Sequence, residues 1–124
     1  MCGAGIVVMD TRTKIVELDA IPRGATVVTG TFDVMRAVDA RELAALGRPL
    51  VVVVLPLADE LLPQRARAEL AAGLHMVDYV LITHDSHPEA LLRALQPAAL
   101  VHLEAVQADR KRQLMEHVHR RQTI

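Results

Sequence analysis

Two short stretches carry side chains whose types and spacing suit chemistry. Gly30-Thr31-Phe32-Asp33 follows the β-branched run Thr26 to Thr29 and opens into a helical pattern with Arg36 and Asp39 near its start. Ligands of α/β sheets bind beyond the carboxyl ends of strands, and this glycine turn lies at one. Arg36 offers a guanidinium fork suited to a phosphate, whereas Asp39 is a carboxylate that opposes an anion. Thr83-His84-Asp85-Ser86-His87 closes a later strand pattern at the same sheet edge. His84, His87 and Asp85 are ligand types for zinc or a similar ion. Strand-end loops of this composition are common and Asp85 or Ser86 also makes a helix N-cap, so no metal is expected; a histidine donating to a phosphate ranks only a little above a metal site.

Each of these side chains also has a plain structural use. Phe32 suits a core anchor, Asp33 a helix N-cap and Arg36 a solvated first-turn residue. Cys2-Gly3-Ala4-Gly5 contains G-x-G but lacks the preceding strand and third glycine of a dinucleotide fingerprint. Cys2 has no His or Asp neighbour in sequence to activate it. Asp109-Arg110-Lys111-Arg112 with His117, His119, Arg120 and Arg121 makes a basic C-terminal helix. Those charges complement the helix dipole, which explains them better than nucleic acid does.

The elements that position these residues follow from periodicity. Gly5 to Met9 and Lys14 to Leu18 read as a short hairpin lead-in within residues 1–23, and Pro22-Arg23-Gly24 punctuates after it. Thr26 to Thr29 is a buried strand. Val34 to Leu46 carries apolar residues at helical spacing and ends at Gly47. Leu50-Val51-Val52-Val53-Val54-Leu55 is an unbroken apolar run of the central parallel type. Pro63 opens a helix to about His75. Tyr79 to Thr83 is a third strand, Pro88 or Ser86 opens a helix through Leu95, and Ala99 to Leu103 is a fourth strand. A polar helix closes the chain over about residues 105–124. Strands alternating with helices imply one domain over residues 1–124, a three-layer α/β/α fold with a Rossmann-like parallel sheet.

Composition narrows the function. A chain of 124 residues with a net charge of −1 has no global basic field for nucleic acid. One Phe, one Tyr and no Trp leave few platforms on which bases could stack. A single cysteine excludes an intramolecular disulfide and fits a reducing, cytoplasmic setting. No apolar run approaches the ~20 residues of a membrane span, and no signal peptide is readable.

The segment around Gly30 resembles the opening of the cytidylyltransferase-like nucleotidyltransferases, where G-x-F-D runs into H-x-G-H. Further resemblance to the heptose and glycerol-phosphate cytidylyltransferase domain lies in Lys14-Ile15-Val16, Gln64-Arg65-Ala66, Val77-Asp78-Tyr79-Val80 and the stretch Leu91 to Val101. The resemblance implies the nucleotidylyltransferase type of sheet, CTP or ATP with magnesium, and a phosphate-bearing small molecule as acceptor. It assigns nucleotide contact to Gly30, Thr31, Phe32, Asp33 and Arg36. In that family the two motif histidines stabilise phosphate charge during transfer.

This chain departs from the family at four places. Arg36, Val38 and Asp39 replace His, Gly and His of the motif. The loop Pro56 to Leu62 is short and acidic where the family has basic residues. His102-Leu103-Glu104-Ala105 replaces K-G-x-D, and the I-S-S-T motif has no match. The reading is therefore a degenerate, non-catalytic nucleotidyltransferase-like domain, a pseudoenzyme that binds phosphate or nucleotide or serves as an interaction module, with a homodimer as its expected assembly. The alternative is an active transferase with a rebuilt site in which Arg36 and His84 or His87, beside Asp39, replace the lost histidines. A receiver-like fold is set aside because Thr83 stands where the acceptor Asp would be.

Overall fold

The structure is a computed structural model that describes residues 10–122. Its core is a parallel sheet of β1 (Thr26–Gly30), β2 (Leu50–Val54), β3 (Tyr79–Ile82) and β4 (Ala99–His102), in the order β3-β2-β1-β4. Between them run α1 (Ala37–Ala44), α2 (Gln64–Ala72) and α3 (Glu89–Leu95), and α4 (Glu104–Gln122) follows. The α/β expectation is met, with helices on both faces of the sheet.

The central strands are apolar on both faces because both faces are covered. Val28, Val52, Val54 and Val80 pack against Leu43 of α1 and Ala68, Ala71 and Ala72 of α2. Val27, Val51, Val53 and Leu81 pack against Leu92 and Leu95 of α3. Three alanines on the inner side of α2 let it lie close to strands built of branched residues. The chain steps from β1 through β2 to β3, then crosses back over the opposite face to β4. The strand order therefore reverses between β1 and β4, which is where such sheets open a crevice.

Three sequence expectations need correction. The Lys14 to Leu18 half of the hairpin is not a strand. Thr11–Lys14 and Leu18–Ala20 are 3₁₀ turns, and Ile15 makes one parallel bridge to Val80. The Gly5 to Met9 half, like Cys2-Gly3-Ala4-Gly5, lies outside the described residues. The first helix starts at Ala37 rather than Val34, because Phe32 has φ 54° and turns the chain before the helix can begin. The last helix begins at Glu104 rather than at about residue 105, and Arg110 ties it to Asp39 and Glu42 of α1. Among the described residues, no helix is long and apolar enough to cross a membrane.

Candidate functional site

The turn after β1 is built around a glycine for a specific reason. A Cβ on Gly30 would lie 2.5 Å from Gln107 Oε1 and 2.8 Å from the Phe32 ring. Gln107 is on α4 and only 6% exposed. Its side-chain oxygen accepts the Thr31 N–H at 2.7 Å and the Phe32 N–H at 3.2 Å. The two donors that this turn would offer an anion are thus occupied from within the chain. Gln107 Nε2 is buried with no hydrogen-bond partner. Burying an amide this way has a cost, which the two backbone bonds offset.

Phe32 is fully buried among the core residues between the sheet and α1. Its left-handed backbone is uncommon for a side chain of this size and stores strain on the order of 1–3 kcal/mol. Insertion of the ring into the core offsets that strain. Asp33 does not cap α1. It accepts Leu61 N–H at 2.7 Å and Leu62 N–H at 2.8 Å, and takes Lys111 Nζ at 2.6 Å. Asp33 thereby ties the acidic loop after β2 to α4.

Beneath that loop lies Arg67, a charged residue with no exposed surface. Its guanidinium donates to the carbonyls of Thr31 and Leu55 at 2.8 Å each, and to that of Leu62 at 3.1 Å. The fourth bond goes to Glu60 Oε2 at 2.9 Å. One planar fork therefore holds the ends of β1 and β2 and the loop between β2 and α2.

The remaining motif positions are dispersed. Asp39 reaches back to the Arg36 N–H at 2.8 Å and so caps α1 itself. Asp39 also pairs with Arg110 of α4, which bridges to Glu42. Its charge is consumed by α4 rather than presented to a ligand. The Arg36 side chain is exposed at the start of α1. His84 is exposed after β3, and Asp85 Oδ1 accepts the His87 N–H at 2.9 Å in a local turn. Gly30, Thr31, Phe32 and Asp33 are thus together, Asp39 sits beside α4, and His84 belongs to another loop. Among the described residues, no group of three His, Cys, Asp or Glu is arranged to hold a metal ion.

A cleft of about 510 Å³ opens on the other side of β1, over β4 and against α3. His87, Arg93, Leu100, His102 and Glu104 line it, with Thr29 at its floor. Thr29 and His102 are register partners on adjacent parallel strands, so their side chains share a face. Thr29 Oγ1 lies 2.7 Å from His102 Nδ1 and 2.8 Å from Glu104 Oε1. Sequence reasoning identified His87 but passed over Thr29, His102 and Glu104 as site residues. The available signal was a threonine and a histidine at matching positions near the ends of two strand patterns.

Two carboxyls carry the acid sensitivity of this frame. Burial is the largest influence on Asp33 and opposes its ionisation. Lys111 and the Leu61 and Leu62 N–H groups together outweigh burial, so the Asp33 pKa falls below its ordinary value. Asp78 is lowered first by the Arg48 guanidinium and further by the Leu50 N–H, against burial. A carboxyl with a folded-state pKa below the unfolded value stabilises the fold above about pH 4. That contribution is lost as pH falls from there through the folded-state value. Thermal melts should therefore show Tm falling steeply below about pH 4, and Asp33→Asn should flatten that fall.

Comparison with protein-family models gives no match, and comparison with curated proteins gives none.

Proposed function

We propose that this chain is a nucleotidyltransferase-like α/β module that does not transfer nucleotides and that acts as a binding or interaction module. The observation that carries this reading is Gln107. Its side-chain oxygen takes the Thr31 and Phe32 N–H groups that a phosphate would need. Two further features support it. Asp39 is committed to Arg110 and to the helix cap, and Asp33 to Lys111 and the loop N–H groups. A triphosphate entering this turn would have to displace α4 and leave several charges unpaired, at a cost of several kcal/mol. The module works in a reducing, cytoplasmic setting, and exposed Leu61, Met115 and Val118 suit self-association.

Calorimetric titration of the full chain with CTP and with ATP, each with magnesium, tests the reading. The expected result is no saturable heat and no shift in Tm. A saturable isotherm with either nucleotide overturns it and favours a transferase with a rebuilt site.

A further inference from the structure

The cleft between α3 and the β1–β4 junction has a floor whose protons are ordered by geometry. Thr29 is 2% exposed and its hydroxyl meets three acceptor or donor atoms. They are His102 Nδ1 at 2.7 Å and the Glu104 oxygens at 2.8 and 3.0 Å. A hydroxyl has one proton to give and lone pairs with which to accept, whereas an ionised carboxylate only accepts. If the hydroxyl proton went to Nδ1, the carboxylate would face the threonine oxygen with no proton between them. The favourable order is Nδ1–H to Oγ1, then O–H to Glu104. In the neutral ring this leaves the lone pair on Nε2. The His102 side chain is 55% exposed, and its ring lines the cleft.

Other groups in the same cleft complement that acceptor. Arg93 lines it and has no ion-pair partner among the described residues, and His87 and Ser86 add further donors. Leu92, Pro97 and Leu100 add apolar wall beside these polar groups. Glu89 and Glu104 are present too. Their charge opposes a dianion more than a monoanion, which favours a carboxylate over a phosphate.

We propose that this cleft is a binding site for a small hydroxycarboxylate, its hydroxyl donating to His102 Nε2 and its carboxylate paired with the Arg93 fork. Thr29 and Glu104 are positioning residues that set the tautomer of His102. The site is separate from the turn at Gly30, so it stands whether or not a nucleotide binds there.

Ring-nitrogen NMR of the ¹⁵N-labelled full chain, recorded with the ring neutral, reads the tautomer directly. The wild type should show His102 protonated on Nδ1 and bare on Nε2. Glu104→Ala removes the acceptor of the Thr29 proton, so the hydroxyl is free to donate to Nδ1 and the Nε2–H form of the ring should gain population. The Glu104 side chain is about one-third exposed, so this variant keeps the fold; Thr29→Val serves as the second. Titration with glycerate should then give a saturable shift of the His102 resonances, weakened at least tenfold by Arg93→Gln. Glycerol and inorganic phosphate should bind more weakly than glycerate. A wild-type ring protonated on Nε2 overturns the relay. Phosphate binding more tightly than glycerate, or no saturable shift with glycerate, overturns the ligand class.

Discussion

Arg67→Ala should destabilise the fold by about 3–5 kcal/mol, the loss typical of breaking a buried charged network by removing one partner. The guanidinium has no exposed surface and makes three bonds to carbonyls and one to Glu60. Truncation leaves the Thr31 and Leu55 carbonyls buried without a donor and opens a cavity between α2 and the sheet. Arg67→Met restores volume but none of the bonds, so it should recover only part of the loss. Arg67→Lys keeps the charge but cannot reach four acceptors as a planar fork. Urea unfolding measures all three, as a fall in midpoint at unchanged slope. A change under 1 kcal/mol for Arg67→Ala would mean that the fork does not hold the strand ends together.

Asp33→Ala should cost a similar amount, about 3–5 kcal/mol, by a different route. The carboxylate is 1% exposed and its Lys111 partner 14% exposed at the side chain. Its removal orphans two loop N–H groups and leaves an ammonium with only the Asp59 carbonyl, 2.7 Å away. Because much of that cost is the stranded lysine, Lys111→Met on top of Asp33→Ala should cost less than the sum of the two single changes. A double-mutant cycle reads that coupling. Additive effects would show that the pair contributes nothing beyond each residue's own packing.

Both predictions concern residues whose roles were only partly legible in the sequence. Asp33 stood out by type and position, yet the helix-cap role read from it was wrong. The carboxylate turns instead to a loop 28 residues away. Arg67 lies between two alanines of a helix, and its charge gave every reason to place it in solvent. Its burial became possible because three carbonyl groups from separate segments converge on one point. The motif turn at Gly30 was visible as a turn, but its occupant was not, since Gln107 comes from a helix read as polar.

What the sequence determined by itself is the order and type of the elements. Apolar runs such as Leu50–Val54 and the Gly and Pro residues between elements specify strands, helices and the parallel sheet, because each element must bury its own face and end where its backbone permits. What only the tertiary structure decided is how polar side chains pair across it. Gln107 meets Thr31 across 76 positions of sequence, and Glu104 meets Thr29 across 75. Such pairs leave no periodicity, because they depend on where α4 lands after the sheet is complete. That landing fills the turn at Gly30 and, at the same time, brings Glu104 to the hydroxyl of Thr29, beside the His102 that the β1–β4 register sets there.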